Sequence, residues 1–247
     1  MFRGLKTALI IPALDEEDAI AAVVGAVDRG VVDRVVVADN GSRDATAERA
    51  AEAGAIVVRE DRRGYGSACL AAIDAAPDSE VLVFLDGDGS DDPAEIPDLL
   101  AALIDNDADL VIGSRTLGRS EPGALTAVQR FGNALTCGLV RLLWGARYTD
   151  LGPFRAIRRS AYDRLEMCDP DFGWTIEMQV KAAQRGLAFV ELPVSRRVRR
   201  GGESKVTGSV VGSYRAGKRI LGYVAEAKLR EIPSWAELVS RLVDPDR

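Results

Sequence analysis

The sequence predicts an α/β fold, a mostly parallel sheet with helices on both faces, and three observations carry that expectation. Short β-rich runs alternate with helical patterns through the first half of the chain. The runs are nearly continuous in Val, Ile, Leu and Ala, as strands buried on both faces must be. The residues with unusual chemistry fall directly after those runs, in "PALDEE", "DNGSRD", "DGDGSDDP" and "GSR". Those are the carboxyl ends of the strands, where sheets of this kind bind ligands.

The opening "MFRGLKTALIIPALDEE" holds an apolar run too short for the core of a signal peptide and enters acidic sequence at once, so "TALIIPA" is expected to be the first core strand. A helix in "AIAAVVGAV", a strand in "RVVVADN" and a helix in "DATAERAAEAG" follow, with Asp44 as N-cap and Gly54 as stop. The strand "AIVVRE", the segment "GSACLAAIDAA" and the strand "VLVFLDGDG" come next. Pro93 and Pro97 mark the turn and the first helical residues of "DPAEIPDLLAALI", and "ADLVIGSR" closes the first half. The second half is less periodic: a helix over 125–145, a turn-rich "YTDLGPFRAI", a helix through "TIEMQVKAAQRG", a strand "AFVELPV", an Arg-rich loop, and helices from about Val210 to Leu229. No internal repeat, low-complexity stretch or linker interrupts the chain, so one domain is expected.

At 247 residues with 47% hydrophobic content the chain can bury a full core. Cys69, Cys137 and Cys168 lie far apart without CxxC spacing, which fits neither a disulfide framework nor a zinc site and points to a reducing compartment. The chain has no histidine, which excludes Ser/His/Asp and Cys/His nucleophilic chemistry, HExxH metal sites and imidazole acid–base catalysis. Catalysis must then use carboxylates, a metal ion, or Lys and Arg. No stretch approaches about 18 uncharged apolar residues. The nearest, "ALTCGLVRLLWGA" at 134–146, is broken by Arg141 and reads as a packed or interfacial helix. The net charge is −6, but no Lys or Arg occurs from Gly64 to Ser114, whereas "SRRVRRGGESK" at 195–205 is dense in Arg. One end of the molecule is therefore expected to suit a cation and the other an anion.

Residues 81–93, "VLVFLDGDGSDDP", run an apolar strand into Asp86, Asp88, Asp91 and Asp92. Carboxylates that close repel one another and lose hydration, so a cation is expected among them. A calcium loop does not fit: with Asp86 first, Asp91 stands where glycine is required and Pro97 where the bidentate glutamate belongs. Two carboxylates completed by phosphate oxygens and water make the hard-oxygen site that Mg²⁺ or Mn²⁺ prefers. "GSYRAGKR" at 212–219 fails as a P-loop because Arg219 replaces the metal-binding Ser or Thr and no strand leads into it. "GYGSAC" at 64–69 fails as a dinucleotide fingerprint at Cys69; it reads as a flexible loop beside a ligand or a plain helix-entry turn.

"IIPALDEE", "VADNGSRDAT", "RRGYGSA", "LDGDGSDDP" and "VIGSR", in that order and spacing, resemble family 2 of the glycosyltransferases, whose fold is GT-A, with a Rossmann-like sheet. "DLGPFRAI", "GWTIEMQVKA" and "RRGGESKVTGS" resemble its branch of dolichyl-phosphate mannose synthases and polyprenyl-phosphate glycosyltransferases; the similarity spans roughly residues 6–220. The resemblance implies one GT-A domain over 1–230, with a nucleotide-sugar half (1–115) and an acceptor half (116–230), and a C-terminal tail over 231–247. It implies a nucleotide pocket of Pro12, Leu14, Glu16, Asp39, Gly41, Gly64, Asp86 and Gly87, with Asp39 on the base or ribose. Asp86 and Asp88 would hold the metal, with Ser90 where many relatives have Gln. Arg115 would face the donor diphosphate or sugar, Asp150 would sit at the reaction centre, and Arg199, Arg200, Ser204 and Lys205 would meet phosphates, with Glu177 on the acceptor side. Two positions depart from the family pattern: Asp15 replaces the usual Asn of the first motif, and Asn40 the second Asp of Asp-Asp-Gly-Ser.

The implied reaction is an inverting, Mg²⁺- or Mn²⁺-dependent sugar transfer from a nucleotide sugar of the GDP-mannose or UDP-glucose type, with Asp88, Arg115 and Asp150 at its centre. The implied acceptor is a polyprenyl phosphate, met by a cytoplasmic enzyme in peripheral contact with the inner face of the membrane; no nucleic-acid partner is expected. A phosphate acceptor is already largely ionised near neutral pH and leaves Asp150 a positioning role, whereas a hydroxyl acceptor needs Asp150 or Glu177 to take its proton. The alternatives are a glycosyltransferase with a soluble hydroxyl acceptor, a sugar nucleotidyltransferase, and an inactive nucleotide- or membrane-binding scaffold. A nucleotidyltransferase needs a glycine-rich basic loop where this chain has the acidic "PALDEEDAI", and intact Asp86, Asp88, Arg115 and Asp150 speak against a scaffold.

Overall fold

The computed structural model describes residues 1–199 and 210–231, with side chains from Ala216 onward in the helix that begins at Val210. Strands β1 (Thr7–Ala13), β2 (Arg34–Asp39), β3 (Ile56–Arg59), β4 (Val81–Phe84) and β5 (Leu110–Ser114) come from the first half, β6 (Arg155–Arg158) and β7 (Phe189–Pro193) from the second. They form one sheet in the order β3-β2-β1-β4-β6-β5-β7. Every neighbouring pair is parallel except those of β6, which runs antiparallel to β4 and β5. The architecture is the mostly parallel α/β sheet that the apolar runs predict.

Period-2 alternation sends successive side chains to opposite faces and so divides the core into two layers. Leu9, Ile11, Val35, Val37, Val81 and Val83 pack with buried residues of α1 (Ile20–Gly25), α2 (Thr46–Glu52) and α4 (Ile96–Asp105). Ala8, Ile10, Val36, Ala38, Leu82 and Phe84 pack with α3 (Tyr65–Asp74), α5 (Ala127–Trp144), α6 (Arg159–Leu165), α7 (Trp174–Gln184) and α8 (Val210–Arg230). Each fully buried Val, Leu, Ile or Phe contributes about 1.5–3 kcal/mol, so the strand ends are held firmly and the loops after them can carry polar groups. Among the described residues no helix is long and apolar enough to cross a membrane.

Local details differ from expectation in three places. Helix α1 is only 6 residues long. Helix α2 starts at Thr46 with Ala45, not Asp44, at its N-cap; Asp44 stands one residue earlier, where its Oδ1 accepts from the Thr46 backbone N–H at 3.1 Å and from Thr46 Oγ1. "GYGSAC" is a tightly packed helix entry and not a flexible loop: a Cβ on Gly64 would collide with the carbonyl oxygen of Pro170, and one on Gly66 with that of Asp169. Ser67 N completes this backbone-to-backbone contact by donating to Pro170 O at 2.9 Å.

Candidate active site

The carboxyl ends of the central strands open into a cleft of about 640 Å³, a volume suited to a small-molecule ligand. Pro12, Leu14, Glu16, Gly64, Asp86 and Gly87 line it, as do Asp88, Arg115 and Arg199. Asp39 and Gly41 are not among its lining residues. Asp39 is buried at the end of β2, and its Oδ1 accepts from Ser42 N at 2.9 Å. Gly41 O accepts from Arg63 Nη2 at 2.9 Å, and Arg63 reaches the cleft wall in its place.

The two departures from the family pattern have local explanations. Asn40 Nδ2 donates to Glu60 O at 3.0 Å and Arg62 O at 2.9 Å, while its Oδ1 accepts from Gly64 N at 2.8 Å. An ionised aspartate is acceptor-only and could not make both donations, so Asn40 is a clamp between β2 and the entry to α3. Asp15 has φ +50°, a left-handed conformation that Asp and Asn both tolerate.

Asp86 and Asp88 sit on the loop after β4. Asp88 Oδ1 accepts from Ser90 N at 3.0 Å and from Ser90 Oγ. Ser90 is buried and does not line the cleft, so it orients the Asp88 carboxylate instead of presenting its own oxygen. Burial, and then repulsion from Asp88 and Asp91, raises Asp86 to about 7.

The opposite charges do not separate onto two ends of the molecule. The segment 195–199 folds across the acidic loop as a strap: Ser195 N donates to Glu95 Oε1 at 3.0 Å, Arg196 Nη1 to Asp91 Oδ1 at 2.7 Å, and Arg197 Nη2 to Asp92 Oδ2. Arg196 Nη2 also lies 3.8 Å from Asp86 Oδ2, and Arg199 Nη2 donates to both carboxylate oxygens of Glu16 at 2.7 and 2.9 Å. The cation expected among the aspartates is thus supplied in part by this chain. Charge density over 195–205 does not show which arginine turns inward, so Arg196 escapes a reading of the sequence. Arg200, Ser204 and Lys205 lie outside the described residues.

Asp150 is not in the main cleft. It lines a second cavity of about 360 Å³, and Arg115, Gln129 and Asn133 line both cavities. Asp150 Oδ2 accepts from Arg115 N at 2.7 Å and Nε at 2.8 Å, and Oδ1 accepts from Arg115 Nη2 at 2.6 Å. Glu177 lines neither cavity. It is fully buried on α7, accepts from Cys168 N at 3.0 Å and Asp169 N at 2.7 Å, and pairs with Lys181 Nζ at 2.7 Å. The acceptor-side role expected of Glu177 gives way to bracing the 168–173 loop, whose Asp171 and Phe172 do line the main cleft. Arg155 is buried, has no carboxylate partner among the described residues, and donates to the carbonyls of Gly152 and Thr175; desolvation lowers its pKa to about 10.

Residues 8–166 match the family model of Glycosyl transferase family 2. The chain belongs to that family. This glycosyltransferase is 40% identical over 212 residues to an uncharacterized glycosyltransferase of Mycobacterium tuberculosis, covering 85% of this chain and 94% of that one. It is 33% identical over 225 residues to a dolichyl-phosphate hexose transferase of Haloferax volcanii, covering 90% and 96%. Likeness of this kind supports the dolichyl-phosphate mannose synthase-like branch of the family. The glucosyl-3-phosphoglycerate synthase of Mycobacterium tuberculosis, solved with Mn²⁺, UDP-glucose and phosphoglyceric acid, shares the fold, with a TM-score of 0.74 at 22% identity over 94% of this chain and 82% of that one.

Proposed function

We propose that this glycosyltransferase moves a hexose from a nucleoside diphosphate sugar, of the GDP-mannose or UDP-glucose type, to a polyprenyl phosphate, with inversion at C1 and with Mg²⁺ or Mn²⁺. The observation that carries the proposal is a single cleft that joins three chemistries. Asp86 and Asp88 supply carboxylates, Arg196 and Arg199 supply cations, and Val128, Leu135 and Leu221 supply exposed apolar wall. Phe131 and Leu142 extend the Val128 and Leu135 stripe along α5 at helical spacing, 70% and 79% exposed. Such a stripe suits a lipid tail and peripheral contact with a membrane.

The acidic pair fits a divalent ion that arrives with its ligand. Among the described residues no group of three His, Cys, Asp or Glu could hold a metal unaided, and Mg²⁺-type sites use one or two carboxylates completed by substrate phosphates and water. Asp86 and Asp88 would hold the ion, which when bound offsets the charge developing on the departing diphosphate. Arg196 and Arg199 can offset the remainder from the same cleft. A lipid phosphate enters already ionised, so the engagement of Asp150 by Arg115 is no obstacle. On this reading residues 1–115 form the donor side and 116–230 the acceptor side of one domain.

The name of the Haloferax volcanii relative supports the lipid acceptor, and the UDP-glucose and Mn²⁺ complex of the structural neighbour supports the donor and the ion. That neighbour also binds phosphoglyceric acid, which favours a soluble phosphorylated acceptor as a second reading. A panel of GDP- and UDP-sugars with Mg²⁺ or Mn²⁺, with and without polyprenyl phosphate, tests both. Nucleoside diphosphate release with formation of a sugar lipid is the expected result. Turnover with soluble acceptors alone would install the second reading, and no turnover with any donor would remove both.

A further inference from the structure

We propose that Asp150 is a positioning residue that fixes the Arg115 guanidinium in the wall between the two cavities, and that it takes no proton in the reaction. The proposal rests on sugar transfer as the activity, but the contact it describes is a property of the folded chain.

Both carboxylate oxygens of Asp150 are engaged by Arg115, so taking a substrate proton would weaken the pairing that holds the guanidinium. Three donors of Arg115, the backbone N–H, Nε and Nη2, occupy both oxygens at 2.6–2.8 Å. This is the planar two-point pairing of guanidinium with carboxylate, which fixes orientation as well as charge. Asp150 is 1% exposed, whereas the Arg115 side chain is 14% exposed and lines both cavities. A ligand in the main cleft therefore meets Arg115, with the carboxylate behind it. A general base needs an oxygen within hydrogen-bond reach of the proton it removes.

The turn that carries Asp150 is itself held from three elements. Glu191 on β7 accepts from Thr149 N at 2.9 and 3.0 Å and from Asp150 N at 3.3 Å. Gln179 on α7 donates to Asp150 O at 2.9 Å. Asn133 on α5 donates to Thr149 O at 2.9 Å and accepts from Leu151 N at 2.8 Å. Gly152 closes the arrangement, since a Cβ there would press to 3.3 Å from Arg115 Nε and 3.4 Å from Asp150 Oδ2. The charge of Asp150 is thus supported on rigid elements and directed at one guanidinium.

Rate loss alone cannot separate a brace from a base, because a misplacement of about 1 Å and the loss of a general base each cost on the order of 10²-fold or more. Coupling and pH dependence do separate them. Turnover of Asp150→Asn, Arg115→Lys and the double variant is measured from about pH 6 to 8.5 with the donor identified by the panel. As a brace, Asp150→Asn lowers kcat about 10²-fold by the same factor at every pH, and the double variant is no slower than the slower single variant. Two independent losses that multiply, or disappearance of the acid limb of the kcat profile in Asp150→Asn alone, would overturn the proposal.

A second measurement needs no substrate. In protein with ¹⁵N-labelled arginine, the wild type should show slowly rotating, resolved guanidinium N–H signals assigned to Arg115 by their absence in Arg115→Lys. They should merge in Asp150→Asn; if they stay resolved, Asp150 is not the brace. Should Asp150→Asn fail to fold, Asp150→Glu keeps the charge but displaces the guanidinium, and the same kinetic and spectral tests are read there. A failed sugar-transfer assay with merged signals would leave the brace standing and remove only the functional reading.

Discussion

Arg196 Nη1 donates to Asp91 Oδ1 at 2.7 Å, with the two side chains 12% and 0% exposed, so the acidic loop after β4 takes its counter-ion from a residue 105 positions later. Removing one partner of a buried pair leaves an uncompensated charge and costs roughly 3–5 kcal/mol. Arg196→Gln should therefore lower stability by about that amount in urea denaturation. Arg196→Met combined with Asp91→Leu should recover much of the loss, because neither charge is then stranded. If the double variant is as unstable as Arg196→Gln, the pair is not the source of the effect.

Asp86 gives a pH dependence whose sign can be worked out. Its pKa is raised from 3.8 to about 7 in the folded protein, first by burial and then by Asp88 and Asp91. Between those values the folded state binds more protons than the unfolded one, so the contribution of Asp86 to stability falls as pH rises from about 4 to 7. Metal-free Asp86→Asn, which carries no such charge, should gain on the wild type across that window in paired thermal melts. A constant difference between pH 4 and 7 would show that Asp86 titrates normally.

Nucleoside diphosphate binding should require a divalent ion and weaken more than tenfold in Asp88→Ala. Ser90→Ala should have a smaller effect, about fivefold, since it removes one of the two hydrogen bonds that orient Asp88 and a single bond is worth about 1 kcal/mol. Calorimetry of GDP and UDP with Mn²⁺ and with excess EDTA reads all three. Equal affinity in EDTA would rule out the metal.

The α5 stripe makes membrane contact measurable. Flotation with phosphatidylglycerol vesicles should recover the wild type, and Phe131→Glu with Leu142→Glu should abolish recovery without changing the melting temperature, because both side chains are exposed. Each apolar side chain lost from the interface is worth about 1.5–3 kcal/mol and each nearby basic residue about 1 kcal/mol. Recovery should therefore fall with salt as well. Absence of wild-type flotation would favour the soluble acceptor.

The central strands are legible because residues 8–13, 35–38 and 81–84 are unbroken apolar runs. Strand β6 is not: "RAIR" has an arginine at each end, and only the tertiary structure shows that Arg155 is buried while it donates to the carbonyls of the preceding turn. Carboxylates at the ends of strands announce a site, but their partners lie far along the chain. Glycines 64 and 66 show their need only beside Asp169 and Pro170, and Asp150 shows its role only beside Arg115. Local pattern finds the elements; long-range contacts assign the side chains.

The antiparallel placement of β6 has a consequence for how the chain is made and exchanged. Among the described residues β5 pairs within the sheet only with β6 and β7, so a segment completed by residue 114 has no strand to join until β6, at residues 155–158, exists. During vectorial synthesis the β1–β4 ladder can zip early, whereas "LVIGS" must wait with both edges open, a state prone to wrong pairing. Recombination that swapped acceptor specificity at residue 115 would have to import a β6 that fits both β4 and β5, since β6 is the strand that ties β5 to the rest of the sheet. The boundary along which such enzymes can trade parts is therefore drawn by strand order, not by where donor chemistry ends in the sequence.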